Sequence, residues 1–168
     1  MLNTGLLRKL PGPHIAVRAD VENSGSIDIS DTLIFEQSLT NHPNGNIRGN
    51  GFLDVSAANF VNNGTLAPGN SPGILSVIGN YPLSDAADVA IELGGKTPGS
   101  EHDQLRISGA AHLTGSRLQL SLLNGFCSRQ RRYAGNFANS RPERRSAHSA
   151  ASIQHIMMCS ICRMRCDW

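Results

Sequence analysis

The chain has 168 residues and a formal net charge of +2, which allows one modest domain, or one domain and a tail. No run of about 18 apolar residues is present, so no transmembrane helix is predicted. No three-turn amphipathic pattern occurs before residue 127, which excludes a helical domain there. Short apolar runs separated by Asn-Gly and Asp/Asn/Ser clusters are instead typical of an all-β chain.

The N-terminal residues, 1–19, contain Arg8 and Lys9 but no following apolar stretch of about 7–15 residues. This is not the pattern of a secretory signal, so we expect no signal peptide in this chain. Any export signal is expected to lie upstream of this reading frame. We interpret residues 1–19 as an irregular lead into the structured region.

A repeat of about twenty residues follows. Gly25, Gly45 and Gly64 recur at nearly equal intervals, and each ends an Asn-containing turn before a β-branched or aliphatic residue. Strands this short cannot bury an apolar face alone, whereas stacked coils can. We expect glycine and asparagine at these corners to supply positive φ. We also expect asparagines at stacked corners to pair from coil to coil.

Between and after these turns, apolar and polar residues alternate with period two, as in half-buried strands. The runs cover residues 26–29, 32–35, 51–55, 74–78, 88–93, 104–108 and 117–122. The predicted fold is all-β: a right-handed parallel β-helix (solenoid) over residues 20–126, followed by a poorly structured tail. An antiparallel sandwich with hairpins at similar spacing remains the alternative.

Residues 64–75, GTLAPGNSPGIL, resemble the "G-T-L-x-P-G-x-S-x-G-x-L" signature of autotransporter passenger domains. Residues 103–109 and 113–122 resemble two later steps of that family. The resemblance implies a right-handed parallel β-helix displayed outside an outer membrane, since members of that family are normally secreted through a C-terminal β-barrel of the same polypeptide. It also implies adhesion, aggregation or surface display, with no cofactor and no catalytic set to carry over.

We therefore expect a fragment of a non-enzymatic, surface-exposed or secreted protein of structural or adhesin type. Its partners would be a host-cell or matrix surface, or other copies of itself, and not nucleic acid. It would contact the outer membrane only through a barrel that this chain does not contain.

The alternative is a fragment of a β-helix polysaccharide lyase or hydrolase, since such enzymes group carboxylates on one solenoid face. The densest acidic cluster comprises Asp85, Asp88, Glu92, Glu101 and Asp103. These residues alternate with apolar ones or lie in predicted turns, which favours outward-facing solubilising groups. No catalytic residue is therefore predicted.

Residues 127–168 differ sharply in composition from the rest. They contain eight arginines, no lysine and all four cysteines, whereas residues 1–126 hold seven basic and eleven acidic residues. We interpret this segment as a frameshift product or another non-native tail. Its arginines are interpreted as solvated charge.

One candidate metal set lies in this tail. Its four potential zinc ligands are His155, Cys159, Cys162 and Cys166. Structural zinc sites usually draw two ligand pairs from separated elements, whereas these four are crowded into one short segment. Chance cysteines are the favoured interpretation, and no metal or other cofactor is predicted.

The frameshift hypothesis predicts that another frame of the gene, read past codon 126, resumes an acidic, glycine-rich β pattern that ends in a membrane barrel. Sequencing through codon 126 and past the stop codon tests this directly. Confirmation of the present frame, with no such pattern downstream, would contradict it.

Overall fold

The structure is a computed structural model that describes residues 1–82, 86–113 and 115–126. The predicted tail at 127–168 lies outside the described residues. The same holds for Asp85 and for the candidate zinc set His155, Cys159, Cys162 and Cys166.

The described residues form β-strands and no helix. The strands are β1 Leu2–Asn3, β2 Leu6–Lys9, β3 Ile15–Val17, β4 Val21–Asn23, β5 Ser26–Ile29, β6 Thr32–Phe35, β7 Ser38–Asn41, β8 Asn46–Gly49, β9 Phe52–Asp54, β10 Asn59–Asn62, β11 Thr65–Pro68, β12 Ile74–Ile78, β13 Tyr81–Pro82, β14 Asp88–Leu93, β15 Gln104–Ile107, β16 Ala111–His112 and β17 Arg117–Leu122.

Strands that are three positions apart in the chain pair with each other in parallel. The first face contains β1-β4-β7-β10, the second face β2-β5-β8-β11-β14-β17, and the third face β3-β6-β9-β12-β15. β13 pairs with β16 in a separate two-stranded sheet. Three strands thus make one coil, and stacked coils make a β-solenoid. The predicted all-β parallel solenoid is confirmed, and the sandwich alternative is wrong.

The coils differ in length along the chain. On the second face Ser26 pairs with Asn46, and Asn46 with Thr65, so these two coils are nearly equal in length. Asp88 then pairs with Arg117, which makes this coil clearly longer. The added length includes residues 94–103, which leave the strand column between β14 and β15. Strand pairing nevertheless continues across the longer coils.

The core is a set of aliphatic columns that run along the solenoid axis. Ile27, Ile47 and Leu66 are successive neighbours on the second face, and all three are fully buried. Leu33 and Leu53 pair in the same way on the third face. Burial of each such side chain contributes about 2 kcal/mol to stability. The period-two alternation therefore reports which side chains point into these columns.

The expectation that residues 1–19 form an irregular lead is wrong. β1, β2 and β3 make a first coil that pairs in register with β4, β5 and β6. β1 and β3 are very short and β2 has a lysine at an inward position, so the order of these strands comes from hydrogen bonds to the next coil and not from local pattern. Lys9 sits beside Ile29 at an inward position and is 3% exposed. Its ammonium donates hydrogen bonds to the carbonyls of Leu10 and Gly12.

An asparagine column on the first face links the coils. Its members are Asn3, Asn23, Asn41 and Asn62. Each Nδ2 donates to the Oδ1 of the next, at 2.7 Å in all three steps, and the last three side chains are fully buried. The expected pairing of corner asparagines is thus confirmed. In the third coil the member is Asn41, and not Asn44, which is exposed in the same turn.

Tyr81 ends the column. Its hydroxyl accepts a hydrogen bond of 2.8 Å from Asn62 Nδ2, and its ring lies 5.7 Å from that of Phe60. Burial raises the pKa of the Tyr81 phenol, only partly offset by the hydrogen bond from Asn62. The hydroxyl therefore stays neutral and able to accept at any ordinary pH.

The corner glycines have a different role from the one expected. Gly25, Gly45 and Gly64 do not have positive φ. A Cβ on Gly25 would lie 2.2 Å from the Gly5 carbonyl oxygen, and one on Gly45 would lie 2.4 Å from the Asn23 carbonyl oxygen. Glycine is required because the adjacent coil passes too close for any side chain.

We expect Asn41→Ala to destabilise the protein by about 2–4 kcal/mol, because Asn23 and Asn62 each lose a buried hydrogen-bond partner. Urea unfolding of the full chain, followed by circular dichroism, measures the loss. Asn44→Ala is the matched control, since the same change in an exposed side chain of the turn that follows Asn41 should cost at most about 0.5 kcal/mol. Equal effects of the two changes would contradict a stabilising role for the column.

Candidate binding groove

The outer surface of the second face contains a groove of about 700 Å³. It crosses every strand of that sheet, so it runs along the solenoid axis. The lining residues are Arg8, Leu10, Asp28, Ser30, Asn46, Arg48, Ala67, Pro68, Gly69, Asn70, Ser71, Ala90, Ile91, Glu92, Asp103 and Ser121.

The shape of the groove follows from which side chains point outward. On β11 and β14 the outward positions at its centre are Ala67 and Ala90, which leave a shallow floor. Residues 69–71 rise beside them in a turn where Gly69 has φ 94° and Ser71 has φ 72°. A Cβ on Gly69 would lie 2.5 Å from Asp103 Oδ1, so the turn packs tightly on that carboxylate.

At the N-terminal end of the groove, Arg8, Asp28 and Arg48 lie on neighbouring strands in register, and we call them the charged column. Arg8 Nε is 3.2 Å from Asp28 Oδ2, and Arg48 Nη2 is 3.7 Å from the same oxygen. The Asp28 side chain is 6% exposed, whereas those of Arg8 and Arg48 are 47% and 41% exposed. A nearly buried carboxylate is thus covered by two half-exposed guanidinium groups.

Three polar atoms in this region have no hydrogen-bond partner within the described part of the chain. They are Asp28 Oδ1, Asn46 Oδ1 and Arg48 Nε. A buried polar atom without a partner costs about 1–3 kcal/mol, and such atoms are few in folded proteins. All three atoms belong to residues at the same end of the groove. A ligand that supplied hydrogen-bond partners for them would therefore be stabilised there.

At the other end, Asp103 is buried and acts as a clamp. Its Oδ1 accepts a hydrogen bond from the Gly73 backbone N–H and its Oδ2 one from that of Glu92, both at 2.8 Å. The side chain thereby ties the turn at 69–73 to β14. The expectation that Asp103 is an outward-facing solubilising group is wrong, because it is only 6% exposed. Burial, assisted by the nearby Glu92 charge, raises the pKa of Asp103.

The remaining acidic candidates are dispersed. Asp88 accepts hydrogen bonds from Arg117 at 2.7 and 3.0 Å, and these lower the pKa of Asp88. Glu101 accepts hydrogen bonds from the backbone N–H groups of Lys96 and Thr97. The hydrogen bonds from Thr97 are the main cause of the lowered pKa of Glu101. Of the described candidates, Glu92 and Asp103 line the groove. Acidic residues that are close together in the sequence therefore have separate roles in the structure.

The charged column was not singled out from the sequence, although a signal was present. Arg8, Asp28 and Arg48 are evenly spaced, at the same interval that separates Gly25 from Gly45. The coil period, applied to charged residues as well as to turns, places these three side chains in one column.

Among the residues that the structure describes, no three His, Cys, Asp or Glu side chains cluster so as to hold a metal ion. That part of the chain likewise has no helix long and apolar enough to span a membrane.

No protein-family model, curated protein or solved structure matched the chain when compared with it. The solenoid fold therefore stands on the strand pairing, and any function has to be argued from the surface.

The raised pKa of Asp103 predicts a pH effect on stability. Because the charged form is disfavoured in the folded protein, the native state binds this proton more tightly than the unfolded chain. As pH falls from 7 through the raised pKa towards the ordinary value of 3.8, the wild type should gain stability relative to Asp103→Asn, which cannot titrate. Below that value the difference should stay constant.

Urea unfolding of the two proteins between pH 7 and pH 3 measures this difference. At pH 7, Asp103→Asn should also unfold more easily, because an amide can serve only one of the two backbone N–H groups. Asn44→Ala, at an exposed side chain that does not titrate, is the control, and its stability difference from the wild type should not change with pH. A stability difference between wild type and Asp103→Asn that does not change with pH would contradict the assignment.

Proposed function

We propose that the chain is a non-enzymatic structural and adhesive solenoid from a bacterial surface protein of the autotransporter passenger type. It acts outside the cell, on a host-cell surface, a matrix surface or further copies of itself. The observation that carries the proposal is the groove on the second face, which is an elongated lateral surface with unsatisfied polar atoms on a rigid stack of coils.

The roles of the motif residues support the family resemblance. Leu66 and Leu75 are fully buried, so the two leucines of the 64–75 signature are core positions. Gly69 has φ 94°, and a Cβ on Gly73 would lie 1.7 Å from Asn50 Oδ1. Asp103, which begins the next resembling step, hydrogen-bonds to Gly73. These motif residues are therefore constrained by burial, by backbone conformation or by a hydrogen bond. Such constraints are expected of a signature that maintains a fold.

A polysaccharide lyase or hydrolase is the second candidate, and one observation favours it. Asp103 and Glu92 line the same groove, and a raised carboxyl pKa is common at catalytic sites. However, both oxygens of Asp103 already accept backbone hydrogen bonds that hold the adjacent turn. This use of the carboxylate in structure favours binding over catalysis.

The proposal predicts saturable binding of the purified full chain to a cell-surface or matrix preparation, with no chemical change to the bound polymer. Surface plasmon resonance on immobilised matrix, host-cell membranes and a polysaccharide panel measures the binding. Absorbance in the ultraviolet and reducing-end assays on the same polysaccharides, with and without calcium, measure catalysis. Unsaturated products or new reducing ends would establish the enzyme alternative, and lack of binding to every surface would contradict the adhesive role.

A further inference from the structure

We propose that the charged column is a binding site for an acidic polysaccharide, with a sugar carboxylate on the guanidinium groups of Arg8 and Arg48 and sugar hydroxyls on Asp28 and Asn46. This assignment rests on the adhesive function proposed above and names the ligand class of the groove. It starts from the three unpartnered atoms.

The two kinds of unpartnered atom require a ligand with two kinds of group. Asp28 Oδ1 and Asn46 Oδ1 are acceptors and need a donor such as a hydroxyl, whereas Arg48 Nε is a donor and needs an acceptor such as a carboxylate. A simple anion would satisfy the arginine but would offer no donor to Asp28 Oδ1 and Asn46 Oδ1. A neutral sugar would satisfy the acceptors and leave the guanidinium unused. A uronate carries both groups on one ring.

The arginines are placed so that they can exchange partners. Arg48 Nη2 is 3.7 Å from Asp28 Oδ2, a distance too long for a hydrogen bond, and its side chain is 41% exposed. Arg8 is nearer to that oxygen at 3.2 Å and is 47% exposed. Rotation of these side chains towards a ligand carboxylate would give bidentate pairing and at the same time uncover the oxygens of Asp28 and Asn46.

The groove favours a polymer over a single sugar. Neighbouring strands are about 4.8 Å apart, so the five steps from β2 to β17 span about 24 Å. Beyond the charged column the lining offers uncharged hydrogen-bonding side chains at Asn70, Ser71 and Ser121, and the carboxyl groups of Glu92 and Asp103. The carboxylate of the ligand is therefore directed to the arginine end, and hydroxyls to the other.

Binding of polygalacturonate to the full chain, measured by isothermal titration calorimetry at low and moderate salt, tests the assignment. Two ligands separate the chemical requirements. Methyl-esterified polygalacturonate keeps the hydroxyls and loses the charge, and a single-stranded oligodeoxynucleotide is a polyanion without sugar-ring hydroxyls. We expect tight binding of polygalacturonate alone, weakened as salt rises.

Arg8→Gln and Arg48→Gln should each raise the Kd for polygalacturonate about tenfold, the size expected for one charge-assisted hydrogen bond. Arg18→Gln is the matched control, because it removes the same charge from an exposed side chain paired with Glu36 outside the groove. It should change the Kd less than about twofold. Arg48→Lys keeps the charge but lacks Nε, and should fall between Arg48→Gln and the wild type; it replaces Arg48→Gln if that variant fails to fold.

Equal binding of the oligonucleotide, or equal weakening by Arg18→Gln, would show a nonspecific polyanion effect and overturn the assignment. Absence of polygalacturonate binding would overturn it as well. In either case, binding of the chain to a cell or matrix surface that is unaffected by Arg8→Gln and Arg48→Gln would leave the adhesive function standing. Loss of binding to every surface would instead remove the function itself.

Discussion

A side-chain amide buried in a protein core has to find partners for both its donor and its acceptor, and in this molecule each asparagine finds them in the coils above and below. Asn23, Asn41 and Asn62 therefore fit only when successive coils stack with one corner directly over the next. A slip of one residue would turn these amides outward and leave the aliphatic columns facing water. The asparagine column thus sets the register on which the other faces depend.

Fixed register has a consequence on the outside of the solenoid. If coils stack corner on corner, outward residues one coil apart also form columns. Arg8, Asp28 and Arg48 come together only because the same coil step operates on the second face. Charged residues that recur at the coil period in the sequence therefore lie side by side on the outer surface of the solenoid. The rigidity of the core and the chemistry of the groove therefore have a common origin.

The sequence was sufficient for the central part of the fold, and its limits have physical reasons. The runs at 26–29, 32–35, 74–78, 88–93 and 117–122 match β5, β6, β12, β14 and β17 in both bounds, because apolar residues recur at every second position in them. β1 and β3 have only two and three residues, and Lys9 occupies an inward position of β2, so no apolar alternation marks these strands. Asn41 rather than Asn44 joins the column because the turn at 42–45 shifts the apparent alignment.

The candidate site was harder to predict than the fold, since its members are joined by stacking and not by sequence proximity. Acidic residues close in sequence, such as Asp88 and Glu101, have separate partners in the structure. Arg8 and Arg48, one coil to either side of Asp28, instead approach the same carboxylate oxygen. In a solenoid, density of charged residues along the chain is a poor guide to a site, and recurrence at the coil period is a better one.

The inward leucines of β17 show how far the same stacking rule extends. Leu118, Leu120 and Leu122 pair with Val89, Ile91 and Leu93 of β14, so they continue the aliphatic columns. They are nevertheless 45%, 39% and 59% exposed, because the described residues cover them on one side only. Among the described residues, β17 is therefore the edge strand of the second face, and its leucines are the last members of the aliphatic columns.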